Sequence, residues 1–163
     1  MSKYQFIASK IPVMEMERQF IELLSINDLI SRNMPLPSFG NQMKVDLDHK
    51  FIYSCESEEV FDEIQIYNEK IIPYSYIEKY TNKAFISAID WRYSEIRAEQ
   101  LIRYIITQVK IVGEIELWNT WMVDEFDDIE KITIHVDKLD LSYIKYIFEK
   151  NEYSHPVGLV IYP

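Results

Sequence analysis

Glycine is scarce in this sequence of 163 residues. There are three, Gly40, Gly113 and Gly158, and they lie far apart. Walker-type phosphate loops and dinucleotide-binding fingerprints need closely spaced glycines, because the backbone must approach the phosphates closely. A nucleophile elbow is excluded as well, since no serine is flanked by glycines at the required spacing. The sequence therefore excludes nucleotide binding by these routes, and we predict no cofactor.

Cysteine and long hydrophobic runs are also lacking. The single cysteine, Cys55, cannot form an internal disulfide, whereas small secreted domains usually contain several. The longest apolar runs, such as 104–106 and 157–162, have the length of core elements and fall far short of the roughly 20 residues that cross a bilayer. The N-terminus lacks the apolar stretch of a signal peptide, so we expect every residue to belong to the mature protein. We predict a cytoplasmic protein that does not bind membranes, with Cys55 as a buried thiol.

Clusters of positive charge are absent too. The chain has 17 basic and 27 acidic residues, a formal net charge of −10, and its basic residues are scattered singly. This charge repels phosphate backbones and excludes nucleic acid as a partner, whereas it suits a basic protein. His49, His135 and His155 are too far apart for a zinc-ligand motif, and the acidic run 124–130 lacks both the alternation and the glycine of a calcium loop. We predict no metal site.

What the sequence does have is 48% hydrophobic residues with abundant isoleucine and tyrosine. These two residue types favour half-buried sheet surfaces, so the composition indicates an α+β protein rather than a helical bundle. The length fits one domain, and no linker or low-complexity tract divides it. We therefore predict a single domain over residues 1–163.

The second half has a regular order of elements. A strand at 84–90 precedes an amphipathic helix opened by Ser94 and ended by Gly113. Strands at 114–122 and 131–136 follow, then a short helix from Asp140 or Ser142 to Asn151, and a last strand at 158–162. This order predicts a ferredoxin-like βαββαβ arrangement over residues 83–163, with both helices on one face of an antiparallel sheet.

The first half predicts an N-terminal αβ extension packed on the same core. Residues 4–8 predict a strand, and residues 20–24 a second strand that leads into a short helix opened by Ser25, with Asp28 completing a partial capping box. The alternative is one helix over residues 15–32, which the spacing of Met16 and Phe20 also fits. Two further strands, at 51–54 and 64–67, flank an acidic segment, 56–63, that we expect to form a helical turn.

Tryptophans and carboxylates between residues 114 and 128 form the one segment that suggests a site. Strand alternation places Trp118 on the face of Glu114 and Glu116, exposed, and Trp121 on the Leu117 face, in the core. Exposed aromatics ringed by carboxylates suit an interface with a basic protein. The predicted partner-binding residues are Trp118, Glu114, Glu116, Asp124, Glu125, Asp127 and Asp128. The alternative is that all three tryptophans, Trp91 included, pack under the helices.

Part of the chain resembles a group of bacterial proteins. Residues 90–94, Asp-Trp-Arg-Tyr-Ser, lead into the amphipathic helix, and Glu116, Leu117 and Trp118 follow it. This pattern resembles small acidic proteins of low-GC Gram-positive bacteria, some of which act as immunity partners of secreted toxins. The resemblance carries over no catalytic residue.

Three functional hypotheses follow, because no single motif fixes the function. The first is a non-enzymatic protein-interaction domain, an immunity protein among the options, that docks a basic partner through the tryptophan-and-carboxylate segment 114–128. The acidic segments 56–63 and 124–130 are two candidate surfaces, and the alternative is that they only keep the protein soluble. The second is a small enzyme that uses Asp90 with Glu114 or Glu116 as acid and base at the ends of adjacent strands. The third is a homo-oligomeric structural or regulatory domain. The sequence leaves the oligomeric state open.

Overall fold

The computed structural model describes residues 3–37, 46–57, 63–68, 77–121, 128–149 and 155–163. The chain divides into two compact units, one formed by residues 1–17 with 64–163 and the other by residues 18–63. The prediction of a single domain over residues 1–163 stays a prediction.

The described elements are eight strands, three α-helices and one 3-10 turn. In chain order they are β1 (Lys3–Ser9), β2 (Glu22–Leu24), α1 (Ile26–Ser31), β3 (Ile52–Ser54), β4 (Gln65–Asn68), β5 (Phe85–Asp90), α2 (Glu95–Val112), β6 (Ile115–Trp121), β7 (Glu130–His135), a 3-10 turn (Val136–Lys138), α3 (Leu141–Glu149) and β8 (Val157–Tyr162). The predicted α+β class is confirmed, and so is the order strand, helix, strand, strand, helix, strand after residue 83. No helix in the described ranges is long and apolar enough to cross a membrane.

The larger unit is built on a six-stranded sheet in the order β4-β5-β1-β6-β8-β7. Neighbouring strands are antiparallel, except that β7 and β8 are parallel. The ferredoxin-like arrangement is not confirmed, because β1 lies between β5 and β6, and β8 lies between β6 and β7. The N-terminal strand is thus not an extension of the sheet but one of its central strands.

The sequence of β1 explains its central place. Phe6, Ile7 and Ala8 are consecutive and all fully buried, so this strand is covered on both faces. A strand that is apolar on both faces is stable only inside a sheet with a layer on each side. Ile7 belongs to the core on the helix side, whereas Phe6 and Ala8 belong to the core on the other side.

The two long helices cover one face of this sheet. The side chain of Ser94 caps α2 by accepting a hydrogen bond from the Arg97 N–H at 3.3 Å, and Gly113 ends it with a φ of 81°. Both ends were predicted, because a serine satisfies a free N–H and a glycine tolerates positive φ. Buried residues of both helices share one core with the sheet: Ala98, Leu101, Ile105 and Val109 from α2, and Ile144, Ile147 and Phe148 from α3.

The opposite face of the sheet has a second, aromatic core. The Trp118 ring stacks on Phe6 at 6.2 Å between centroids and contacts Tyr80 at 5.3 Å. The ring lies across Gly158 of β8, the register partner of Trp118, where an added Cβ would come within 2.6 Å of the ring atoms. Because Gly158 has no side chain, β8 can pass beneath the indole ring of Trp118.

The smaller unit contains the short sheet of β2 and β3 and the helix α1. Ser25 and Asp28 form a complete capping box, with the Asp28 N–H donating to Ser25 Oγ at 3.1 Å and the Ser25 N–H donating to Asp28 Oδ2 at 2.8 Å. The hydrogen bonds that the Ser25 N–H and the Ser25 hydroxyl donate to Asp28 Oδ2 lower the pKa of Asp28. The predicted break at Ser25 is confirmed, and the alternative single helix over 15–32 is wrong. Most of the predicted turn at 56–63 lies outside the described residues.

We expect substitution of Gly158 by alanine to destabilise the fold. Overpacking of a buried site typically costs about 1–3 kcal/mol, and the added Cβ would come within 2.6 Å of the fully buried Trp118 ring. Urea unfolding followed by tryptophan fluorescence measures the loss. The matched control is Gly158→Ala in a Trp118→Leu background, where the smaller side chain removes the clash and the loss should be smaller. An equal loss in both backgrounds would contradict the role of the indole.

We also expect alkaline pH to weaken the fold through Tyr80. Burial raises the pKa of Tyr80 from 10.0 to about 12, although the hydrogen bond from Thr120 partly offsets this. Between these two values the unfolded chain loses the phenolic proton while the folded chain keeps it. Stability should therefore fall as pH rises through this window, by at most about 1.4 kcal/mol per pH unit. Urea unfolding at several pH values should show a shallower fall for Tyr80→Phe. An unchanged slope would show that Tyr80 does not cause it.

Candidate functional site

A groove between the edge strand β7 and the helix α3 is the candidate functional site. It is lined by Glu130 and Ile132 of β7 and by Ser142, Tyr143 and Tyr146 of α3, and its volume is about 450 Å3. The groove is open along its length rather than enclosed. Its floor is apolar at Ile132, its wall is formed by two tyrosines, and Glu130 supplies a carboxylate.

The first turn of α3 is fixed by Asp140. Its Oδ1 atom accepts hydrogen bonds from the Ser142 backbone N–H at 2.9 Å and from the Ser142 hydroxyl at 2.5 Å. These bonds lower the pKa of Asp140 and satisfy an N–H that the helix leaves free. With this end held, Ile144 and Ile147 point into the core, and Tyr143 and Tyr146 flank β7.

The carboxylate of Glu130 joins three parts of the fold. Its Oε1 accepts a hydrogen bond from the Tyr146 hydroxyl at 2.9 Å, and its Oε2 lies 2.9 Å from Nε2 of His155. His155 directly precedes Pro156 and β8, and the Glu130 N–H donates to the Pro156 carbonyl at 3.0 Å. The parallel pairing of β7 with β8 thus brings together two residues that are far apart in the sequence.

The central group of this cluster is the Glu130 carboxylate, which is held by hydrogen bonds. A carboxylate only accepts, so Nε2 of His155 carries the proton that it shares with Glu130. The side chains of Glu130 and His155 are 28% and 25% exposed, which leaves both within reach of solvent. The arrangement places the Glu130 carboxylate, which is hydrogen-bonded to Tyr146 and His155, in the lining of an open, partly aromatic groove. A carboxylate is a hydrogen-bond acceptor that suits a cationic group of a ligand.

The predicted exposure of Trp118 and Glu116 is wrong. Trp118 is fully buried, Glu116 is 6% exposed, and the indole Nε1–H donates to Glu116 Oε2 at 2.9 Å. The prediction that Trp118 and Glu116 share one face of the strand is confirmed. That face packs in the second core and is not exposed to solvent. Trp121, expected in the core, is half-buried, and Trp91 is half-buried against Phe148 with ring centroids 4.8 Å apart.

Of the remaining predicted residues, the structure describes Glu114 and Asp128. Glu114 is half-buried and forms an ion pair with Lys83, whose side chain is 7% exposed. Asp128 is exposed and stands two residues before Glu130. Asp124, Glu125 and Asp127 lie outside the described residues.

The carboxylates proposed for an acid–base pair do not converge. In the register of β1 with β5 and β6, Ser9 faces both Phe85 and Ile115, so these two strands run the same way. Asp90 ends β5 and Glu114 precedes β6, which places them at opposite ends of the sheet, roughly 20 Å apart at about 3.3 Å per residue. Glu116 points into the aromatic core, so neither pair can act together on a substrate.

The other candidate residues have structural partners. Cys55, expected to be buried, is half-buried, and its thiol donates to the Ser57 carbonyl at 3.2 Å. His135 accepts a hydrogen bond from the Asp137 N–H at 3.2 Å. Within the described ranges no three His, Cys, Asp or Glu side chains are placed to hold a metal ion.

A second groove lies between α2 and the segment 14–16. It has a volume of about 390 Å3 and is lined by Met14, Glu15, Met16, Gln100, Arg103, Tyr104, Thr107 and Gln108. Its polar groups serve the fold, since the Tyr104 hydroxyl donates to the Met14 carbonyl at 2.5 Å and the Met14 N–H donates to Gln108 Oε1 at 2.9 Å. Burial raises the pKa of Tyr104. The charged residues in its lining also have partners, since Glu15 accepts a hydrogen bond from the Asn68 N–H at 2.9 Å and Arg103 lies 3.8 Å from Glu99.

Sequence reasoning missed Glu130, His155 and Tyr146 as a group. In the sequence, His155 is only a histidine too far from the others for a zinc-ligand motif, and Glu130 is only the last residue of the acidic run 124–130. The only available signal was that Tyr143 and Tyr146 fall on one side of the predicted helix, three residues apart.

We expect Glu130 and Tyr146 to be energetically coupled. Glu130→Ala removes the acceptor of the Tyr146 hydroxyl and should cost about 1 kcal/mol, since the site is partly exposed. Tyr146→Phe should then cost less in the Glu130→Ala background than in the wild type, as measured by urea unfolding of the full double-mutant cycle. Glu149→Ala is the matched control, because Glu149 is exposed and its distance to Lys145 is 3.7 Å. Additive losses would contradict the coupling.

No protein-family model matches the chain, and no curated protein or solved structure matches it significantly.

Proposed function

We propose that this chain is a non-enzymatic protein-binding domain whose groove between β7 and α3 binds a basic segment of a partner protein. The observation that carries the proposal is the Glu130 carboxylate in the lining of this open groove in a chain of net charge −10. The proposal keeps the acidic interaction domain expected from the sequence and moves its binding surface from Trp118 to Glu130.

Two features support a basic partner: the net charge of the chain, which acts at long range, and the acidic residues near the groove. The formal charge of −10 attracts a cationic protein from afar and speeds its association. Closer in, residues 128–149 carry five carboxylates against three lysines: Asp128, Glu130, Asp137, Asp140 and Glu149 against Lys131, Lys138 and Lys145. Lys131 does not oppose the groove, because its Nζ lies 5.1 Å from the centroid of the Trp118 ring on the other face of the sheet.

The shape of the groove supports a macromolecular ligand. Small-molecule sites usually enclose most of their ligand, whereas this groove is open along β7. Tyr143 and Tyr146 provide broad apolar surface with a hydroxyl group, a combination that is common at protein interfaces. An arginine or lysine side chain could lay its methylene groups along these rings and place its charge at Glu130.

An immunity protein is one form of this function. A cytoplasmic domain that neutralises a basic toxin would need an acidic groove of this kind, and the resemblance of residues 90–94 and 116–118 to small acidic bacterial proteins favours this form. A cytoplasmic location agrees with the single cysteine. A toxin encoded next to this chain would be the first partner to test by co-purification.

Peptide selection tests the proposed function. A display library of random peptides is selected at low salt against the wild type, Glu130→Gln and Glu99→Gln. Glu99 is exposed on α2 and does not line the groove, so its variant makes the same change of charge elsewhere. We expect peptides enriched in arginine and lysine for the wild type and for Glu99→Gln, with the enrichment lost for Glu130→Gln and weakened by salt. Pools without basic enrichment, or an unchanged pool for Glu130→Gln, would contradict the proposal.

A further inference from the structure

The outer edge of β7 presents backbone hydrogen-bonding groups. The Glu130 N–H donates to Pro156, next to β8, so the N–H and C=O groups of Glu130 and of every second residue after it point toward β8. The N–H and C=O groups of Lys131 and Thr133 must then point away from β8. Both residues have exposed side chains, and none of the described strands pairs with β7 on this side.

The opposite edge of the same sheet is covered. The outer strand there is β4, and the segment around Met16 closes it, with the Met16 N–H donating to Ile66 at 2.9 Å and the Ile66 N–H donating to Met16 at 2.8 Å. Glu15 adds a hydrogen bond from the Asn68 N–H at 2.9 Å. Exposed strand edges invite pairing and are commonly covered. In the described part of the chain, β4 is covered and β7 is not.

The side chains of β7 connect this edge to the groove. Glu130 and Ile132 alternate with Lys131 along the strand and point to the α3 side, where they line the groove. A strand added at the edge of β7 would therefore place every second side chain in the groove, one opposite Ile132 and one opposite Glu130. An edge strand beside a helix is the arrangement with which several domains bind extended peptides.

We propose that the partner binds as an extended peptide that adds a seventh strand to the sheet along β7, an inference that rests on the proposed function of the groove. The Lys131 and Thr133 backbones hydrogen-bond to the peptide, and the groove recognises two of its side chains. One is an arginine or lysine that binds Glu130. The other is an apolar residue that packs on Ile132 and Tyr143, and one residue separates the two.

Thr133→Pro tests the added strand without disturbing the existing sheet. Proline removes the outward N–H of Thr133, and this N–H makes no bond to β8, so proline is tolerated there as at other sheet edges. Thr133→Val is the matched control because it keeps the N–H. The probes are labelled peptides of about six residues, the ordinary length of a strand, with valine and arginine separated by one threonine in either order. A peptide with glutamine in place of arginine is the uncharged probe.

The expected result is binding by the wild type, Thr133→Val and Glu99→Gln at low salt. Thr133→Pro should bind at least roughly tenfold more weakly, because a backbone hydrogen bond is lost and the added strand is broken. Glu130→Gln should lose a similar factor, and the uncharged probe should bind no better to the wild type than to Glu130→Gln. Amide hydrogen exchange at Lys131 and Thr133 should slow when the peptide binds. If Thr133→Pro fails to fold, this exchange and a peptide with methylated backbone nitrogens decide the question.

These experiments distinguish a failure of the added strand from a failure of the groove to bind a basic partner. If Thr133→Pro and the methylated peptide bind as tightly as their controls while Glu130→Gln does not, the groove binds a basic partner but the added strand is wrong. If the wild type binds none of the basic probes, both proposals are wrong. If the wild type forms a dimer that Thr133→Pro dissociates, a second copy of the chain occupies the edge, and the peptide proposal is overturned.

Discussion

The close contact between Trp118 and Gly158 sets the register of the sheet. Register partners form one row across all six strands: Tyr67, Ala88, Phe6, Trp118, Gly158 and Lys131. The indole fits only where β8 carries glycine, so sliding β8 along β6 by one residue would place a side chain against the ring. The same row fixes Lys131 on the aromatic face, with its ammonium over the indole. Alternation then turns Glu130 and Ile132 to the helix face, where the groove is.

Local sequence signals predicted the helices and strands, whereas pairing between distant residues determines the order of the strands in the sheet. Ser25 with Asp28, Ser94 and Gly113 each mark a helix end through interactions within a few residues, and each was predicted correctly. The position of β1 was not, because no local signal states which strand will lie beside it. Its apolar residues on both faces are typical of a central strand, but they do not identify its neighbours. The order of strands depends on contacts over the whole chain, such as Phe6 with Trp118, that a single sequence does not reveal.

The error at Trp118 has a specific physical cause. Glu114, Glu116 and Trp118 alternate with apolar residues in the pattern of a strand with one solvated face. Glu116 breaks this rule, since it is buried while its carboxylate accepts the hydrogen bond of the indole. A buried carboxylate needs such a partner, and here the partner lies two residues along the same strand. The polar pattern therefore marked an internal pair rather than a binding surface.

The groove could not be predicted from the sequence, because no polar pattern marks its residues. Glu130, Tyr146 and His155 show no common spacing, and only the parallel pairing of β7 with β8 and the placement of α3 bring them together. Parallel neighbours require a crossover, so the helix that connects these strands also forms the wall of the groove. The edge and the groove are thus products of one βαβ unit.

Charge and backbone pairing contribute differently to binding at such a site. The net charge of −10 acts over distances near the Debye length and raises the rate of encounter with any cationic protein, so it provides little discrimination. Discrimination requires groups that act only at contact. In the proposed complex, the outward N–H groups of Lys131 and Thr133 would bind only an extended backbone, and Glu130 and Ile132 would select two side chains at a fixed spacing. Because these contacts form after encounter, they govern the dissociation rate. An acidic surface alone would bind basic proteins indiscriminately, and the edge of β7, which no described strand covers, is the feature that would make the binding selective.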